Sequence, residues 1–148
     1  MKVCLACSAG GHLTELLQLS SVWEQKNHFF VSDNRSNAIE LSESEKVFFV
    51  VVPRRSIFKF FLNFFQSFKI FLKEKPTHVI STGADVALPI CLIAKLFGKK
   101  VAFIESFARI KKPSLSGKIM YLFADCFFVQ WSENKVFFPK AKFKGSVF

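Results

Sequence analysis

The chain has 148 residues, which points to one domain spanning 1–148 that is long enough to bury a core. Hydrophobic residues make up 51% and Phe alone contributes 21, which excludes a disordered chain. A formal charge of +10 calls for an anionic partner, and 17 Lys against 4 Arg argue against nucleic acid, because bidentate contacts to bases and phosphates favour Arg.

Met1-Lys2 leads directly into the apolar run Val3–Cys7 with no cleavage site, and no uncharged apolar stretch reaches the ~18 residues of a membrane span, so a cytoplasmic chain is expected. Further β-like runs follow at His28–Ser32, Val47–Val52, His78–Ser81, Val101–Glu105 and Cys126–Gln130. They are continuously apolar rather than alternating, the pattern of parallel strands covered on both faces. Between them lie helical stretches near Leu13–Val22, Ser56–Lys73, Val86–Phe97 and Ser114–Phe123, with a short one after Ser132. Strand and helix in alternation predict an α/β fold, a Rossmann-like doubly wound parallel sheet, with ligands beyond the carboxyl ends of its strands. Cys4 and Cys7 form a CxxC, but on a strand residues three apart point to opposite faces, so both are expected to be reduced core cysteines.

The segment SIFKFFLNFFQSFKIFLKEK, Ser56–Lys75, places Lys59, Asn63, Gln66 and Lys73 along one stripe and fills nearly everything else with Phe, Ile and Leu. A helix packed on a sheet needs an apolar arc of only ~100° or somewhat more, so part of this surface should emerge from the core. One reading is a deeply buried helix in a Phe-rich protein. The other is an interfacial helix whose rings (Phe58, Phe61, Phe64, Phe65 and Phe68) enter an anionic membrane beside Arg54, Arg55 and Lys69.

Three loops fall at predicted strand ends. In Ala9-Gly10-Gly11-His12 the glycines let a ligand approach the backbone, and the following helix directs its amides at the same spot. The dinucleotide pattern G-x-G-x-x-G is absent, and Asp33 is only a poor substitute for a ribose-binding acid. In Ser81-Thr82-Gly83-Ala84-Asp85, Gly83 permits close approach, and Asp85 either caps the next helix or meets a sugar hydroxyl. In Glu105-Ser106-Phe107-Ala108-Arg109 the carboxylate is placed to face the crevice of His12 and accept a proton, or else to pair with Arg109. Ser114-Leu115-Ser116-Gly117-Lys118 resembles the end of a P-loop but lacks its first glycine and its strand.

Taken in order, Ser8-Ala9-Gly10-Gly11-His12, Ser81-Thr82-Gly83 and FIESFARIKKPSLSGKIMYLFADCFFVQW resemble the acceptor-side subunit of two-component glycosyltransferases. Glu105-Ser106-x-x-Arg109, Ser114–Lys118 and Asp125 through Gln130-Trp131 are its most specific part, and the closing FFPKAKFKG fits as well. The family's eukaryotic member is the membrane-anchoring subunit of the transferase that adds the second N-acetylglucosamine to dolichol-linked sugar. Its bacterial relatives are the PssD-like proteins of capsule and exopolysaccharide assembly.

The resemblance implies the N-terminal half of a GT-B glycosyltransferase, with a separate partner chain supplying the half that binds the UDP-sugar. By analogy with the single-chain enzyme of lipid II synthesis, it implies that His12 and Glu105 activate or orient a polyprenyl-pyrophosphate-linked acceptor. Gly10, Gly11, Thr82, Gly83, Asp85, Ser106 and Arg109 would surround that acceptor. No metal or other cofactor is implied, and the expected location is peripheral, on the inner face of the cell membrane. Two departures stand out. The eukaryotic member has an N-terminal membrane anchor that is not seen here, and Ile104 stands where the lipid II enzyme has a His. The competing readings are a non-catalytic scaffold that recruits the partner to the membrane and a free-standing nucleotide-binding protein.

Overall fold

A computed structural model describes residues 1–148. Seven strands form one sheet: β1 (Lys2–Cys7), β2 (Asn27–Ser32), β3 (Val47–Phe49), β4 (His78–Gly83), β5 (Lys100–Ile104), β6 (Cys126–Val129) and β7 (Lys142–Phe143). Their order is β3-β2-β1-β4-β5-β6-β7 and every pairing is parallel. This is the Rossmann-like α/β sheet that the apolar runs predict.

The helices are α1 (Gly11–Leu17), α2 (Ser20–Trp23), α3 (Ser36–Leu41), α4 (Ile57–Glu74), α5 (Leu88–Leu96) and α6 (Leu115–Met120), with a 3-10 turn over Ser132–Val136. One face of the sheet packs Cys4, Phe29, Val79, Val101 and Phe127 with side chains of α4 to α6. The other packs Val3, Leu5, Cys7 and Phe30 with Leu13, Leu16 and Trp23. Cys4 and Cys7 thus lie in separate clusters, buried and unpaired.

Four local expectations are corrected. The helix expected over Leu13–Val22 is two pieces, α1 and α2, and the Leu16 carbonyl at the break accepts from Leu19 N–H and the Trp23 indole. The strand expected over Val47–Val52 ends at Phe49: Val50 N–H still donates to Ser32 C=O of β2, but the backbone then turns to α4, with Val51 N–H donating to Gln66 and Val51 C=O accepting from Asn63. Helix α3 and strand β7 were not expected. They have six and two residues, too few for periodicity to register.

The fourth correction concerns the polar stripe of α4, which is split: Lys59 and Lys73 are exposed, whereas Asn63 faces inward. Asn63 is fully buried and donates to Val51 C=O at 2.7 Å and Val86 C=O at 3.2 Å, while Ser67 donates to Asn63 Oδ1 at 2.8 Å. Polar side chains therefore pin the inner face of α4 to two loops beside the buried Ile70 and Phe71, while other rings share its outer face with lysines. Phe58 (79% exposed), Phe61 (54%) and Phe65 (62%) project outward with Ile57 and Leu62. Phe64 and Phe68 are half-buried against the core, so they do not belong with the outward rings. Arg54, Arg55 and Lys69 are exposed. No helix is long and apolar enough to cross a membrane.

Candidate functional site

The strand order reverses direction between β1 and β4, and the crevice of a doubly wound sheet opens at that point. The pairing of the two strands slips by one residue between Ala6 and Cys7, so that Cys7 stands opposite Gly83. The first two loops singled out in the sequence emerge here, side by side.

His12 lies in the first turn of α1 and is half-buried. Its Nδ1 is 2.7 Å from the backbone oxygen of Thr82, and the Thr82 hydroxyl donates to the His12 carbonyl at 2.6 Å. A carbonyl only accepts, so Nδ1 carries the proton in this contact and Nε2 presents its lone pair. Nε2 makes no hydrogen bond within the protein. The ring is thereby fixed in position and in tautomer with its basic nitrogen unengaged, the arrangement needed for accepting a proton.

The glycines divide by role. Gly83 has φ +114°, and a Cβ there would lie 3.3 Å from His12 Cε1 and 3.6 Å from Phe103 Cζ. Gly10 has φ +92°. Gly11, by contrast, is exposed and would meet nothing within 4 Å, so the space beside it is open.

The loop around Gly10 is held by β2 and α3. Asp33 Oδ1 accepts from Ala9 N–H at 2.7 Å, Arg35 donates to the Ala9 carbonyl and to Asp33, and Asn37 pairs with both backbone groups of Gly10. Asp33 therefore shapes the Gly-Gly loop instead of standing ready for a ribose. Asp85 does not cap α5. Its carboxylate accepts from Arg54 N–H at 2.8 Å and ties the loop before α4 to the loop after β4.

The third loop is built differently from its expectation. Glu105 is fully buried, and its side chain lies under the first turn of α6 instead of opening to His12. Oε1 accepts from Ser114 N–H at 3.3 Å, while Oε2 is buried with no partner. Burial pushes the carboxyl above its ordinary range, opposed by hydrogen bonding from Ser114 and Ser106 and by the charge of Arg109. Arg109 is exposed and forms no ion pair with Glu105. Gly117 makes room for this carboxyl, since a Cβ there would fall 1.7 Å from Oε2. That explains a glycine inside the P-loop-like Ser114–Lys118, where Ser114 caps α6 by accepting from Gly117 N–H at 2.8 Å.

Sequence reasoning missed Glu15. It is buried one helical turn after His12 and accepts from Ser106 Oγ (2.9 Å), Phe107 N–H (3.2 Å) and Gln130 Nε2 (2.9 Å). Gln130 also donates to the Glu105 carbonyl at 3.0 Å. One carboxylate thus joins α1 to the ends of β5 and β6, and it consumes the Ser106 hydroxyl. The available signal was a lone acid between Leu13 and Leu16 on the apolar side of a helix.

The structure brings His12, Thr82, Gly83 and Gly11 together at the switch point and leaves Glu105 and Ser106 buried behind the loop that ends at the exposed Arg109. No group of His, Cys, Asp and Glu is arranged to hold a metal ion.

A family model described as "Oligosaccharide biosynthesis protein Alg14 like" matches residues 3–147. The human UDP-N-acetylglucosamine transferase subunit ALG14 is 28% identical over 180 residues, which cover 99% of this chain and 83% of that protein. The Schizosaccharomyces pombe subunit is 40% identical over 77 residues, 49% of this chain and 37% of its own length. Among solved structures, MurG of Acinetobacter baumannii superposes with TM-score 0.77 at 16% identity. A UDP-N-acetylglucosamine 2-epimerase of Rickettsia bellii does so with TM-score 0.78 at 18% identity. Each covers 99% of this chain, which spans less than half of either (46% and 45%). The fold is that of the N-terminal half of GT-B glycosyltransferases and epimerases. With nearly its whole length matched by the family model, the chain belongs to the Alg14-like family of oligosaccharide biosynthesis proteins.

Proposed function

We propose that this chain is the acceptor-binding and membrane-docking subunit of a two-chain glycosyltransferase, inactive or weakly active without its donor-binding partner. The acceptor is a polyprenyl-pyrophosphate-linked sugar, the donor a UDP-sugar held by the partner, and the setting capsule or exopolysaccharide assembly at the inner face of the membrane. The observation that carries this reading is His12, an imidazole with Nε2 unengaged beside open space at Gly11.

In the reaction, an acceptor hydroxyl seated against Gly11 attacks the anomeric carbon of the donor. His12 Nε2 takes the hydroxyl proton, the new glycosidic bond forms with inversion, and the bond to the departing UDP breaks with its electron pair. Gly10, Thr82 and Gly83 hold His12 and the acceptor loop in place. Asp85, Ser106 and Arg109 shape the surrounding loops, and buried Glu105 orients the first turn of α6. The outward rings of α4, Phe58, Phe61 and Phe65, with Arg54, Arg55 and Lys69, seat the protein on anionic lipid. Helix α4 begins on the sheet edge that carries His12, which brings a lipid-linked acceptor to the crevice.

The test is transfer from UDP-N-acetylglucosamine to undecaprenyl-diphosphate-linked sugar, with this chain alone and with its partner added. Transfer only in the mixture supports the split enzyme, whereas robust transfer by this chain alone sinks it. A scaffold that merely recruits the partner is separated by His12→Ala, which a scaffold tolerates with full activity.

A further inference from the structure

Helix α1 has seven residues, and no side chain caps its start at Gly10. A helix this short does not sustain itself in water, so the place of His12 is set by whatever α1 is tied to. The Thr82 pair holds its first turn. Glu15, three residues on and 4% exposed, holds the next.

The three donors that meet Glu15 are each committed to it. Phe107 offers a backbone N–H at 3.2 Å. The Ser106 hydroxyl accepts from Ala108 N–H at 3.4 Å and so turns its own proton to Glu15 Oε1 at 2.9 Å. Gln130 Oε1 accepts from Val147 N–H at 3.0 Å, which turns Nε2 to Glu15 Oε2 at 2.9 Å. Both oxygens of Glu15 accept and neither donates, the bonding of a carboxylate rather than of an acid.

No cation lies within ion-pair distance of it. This separates Glu15 from the other ionisable groups around the His12 loops. Asp33, also buried, is paired with Arg35. Burial pushes the Cys7 thiol on β1 upward, toward its neutral form, and does the same to Glu105 beneath α6. Asp85 accepts from Arg54 N–H, and Arg109 is exposed. Glu15 is thus a buried charge that no cation offsets, on the helix that carries His12.

Residues three apart on a helix have Cβ atoms ~5–6 Å apart. Over such a separation, at an effective dielectric of ~20, opposite unit charges alter a protonation equilibrium by about tenfold or more.

We infer that Glu15 is the positioning residue for His12: its three bonds fix α1 so that the ring stays on the Thr82 carbonyl, and its charge stabilises the imidazolium formed during transfer. The inference rests on the reading above that His12 is the base. As the acceptor oxygen bonds to the anomeric carbon, its proton passes to Nε2, Nδ1 keeps its own proton on Thr82, and the UDP leaves with the electron pair of its broken bond. The ring goes from neutral to cationic in that step, and the fixed anion one turn away favours the change.

Imidazole NMR of the full chain tests it without any substrate. Glu15→Gln should move the titration midpoint of His12 to lower pH by about one unit, the tenfold expected above. His28 and His78, at the opposite edge of the sheet, should not move. Ser106→Ala removes a donor but keeps the charge, so its His12 midpoint should stay with the parent. Coupling is reciprocal, so His12→Ala should raise the midpoint of the Glu15 side-chain carboxyl, a measurement that stands even if Glu15→Gln fails to fold. In the partnered enzyme Glu15→Gln should shift the acid limb of the rate profile by the same amount and lower kcat several-fold at unchanged KM, because a weaker base takes the proton less readily.

A His12 midpoint unmoved by Glu15→Gln, or a Glu15 midpoint unmoved by His12→Ala, overturns the inference. Equal shifts in Glu15→Gln and Ser106→Ala reduce Glu15 to a structural tie and overturn it too. Transfer by the mixture with no shift of His12 fails the pair and leaves the split enzyme standing. A shift of His12 with no transfer in the mixture keeps the pair and fails the reading beneath it.

Discussion

His12 and Thr82 fix each other across the switch point: the imidazole Nδ1 meets the Thr82 carbonyl at 2.7 Å, and the Thr82 hydroxyl returns a bond to the His12 carbonyl at 2.6 Å. Removing the ring by His12→Ala should lower transfer by the partnered enzyme about 10²–10⁴-fold, the usual worth of a positioned base. The stability cost should be no more than about 1 kcal/mol, a single hydrogen bond. Thr82→Val keeps the ring and loosens its seat, so kcat should fall while KM holds. Equal activity in His12→Ala and the parent would remove the base from the mechanism.

The two glycines that flank the ring predict opposite behaviour. Gly83→Ala places a left-handed φ of +114° on a residue with a Cβ 3.3 Å from His12, so it should cost about 1–3 kcal/mol in a denaturant melt. Gly11→Ala meets nothing within 4 Å and sits at the start of a helix, where alanine is the better residue, so stability should hold or rise. Its methyl group projects into the space assigned to the acceptor, so KM for the lipid-linked sugar should rise. A Gly11→Ala enzyme with unchanged KM would move the acceptor elsewhere.

What could be read in the sequence follows a physical division. Parallel strands buried on both faces are continuous apolar runs, so the sheet and the loops at its carboxyl edge were legible from Val3–Cys7 onward. Asn63 and Gln66 misled because their partners, the backbone of Val51 and Val86, come from loops that only the fold brings alongside. Glu105 misled in direction. Position alone put it at the crevice, but the cavity above Gly117 turns its carboxyl inward. Short elements such as β7 carry no periodic signal at all.

Glu105 titrates in a defined direction. Burial raises its carboxyl above the ordinary 4.5, so the folded chain holds the proton more tightly than the unfolded one. Stability is then greatest below the unfolded value and declines as pH rises through the folded one. Glu105→Gln should remove that decline, so the variant gains melting temperature over the parent at pH 8 relative to pH 5. An equal difference at both values would contradict the buried, raised acid. Because the proposed base is His12, Glu105→Gln should also retain most of the transferase activity. Gly117→Ala should destabilise by about 1–3 kcal/mol through overpacking, and Glu105→Ala in the same chain should recover most of that loss.

The division of rings on α4 separates a test of the core from a test of the proposed membrane contact. Phe58, Phe61 and Phe65 are exposed, whereas Phe64 and Phe68 pack against the core and Phe68 lies 6.1 Å from the ring of Phe97. Replacing the first three with Ser removes no core contact, so the melting temperature should hold while binding to phosphatidylglycerol vesicles falls at least tenfold. Replacing Phe64 and Phe68 should instead destabilise the fold by several kcal/mol, in the range of truncated half-buried rings. Each of Arg54, Arg55 and Lys69 contributes about 1 kcal/mol near an anionic surface, so neutralising them should weaken vesicle binding further and flatten its salt dependence. Undiminished binding by the Phe58, Phe61 and Phe65 triple variant would place the membrane contact elsewhere on the molecule.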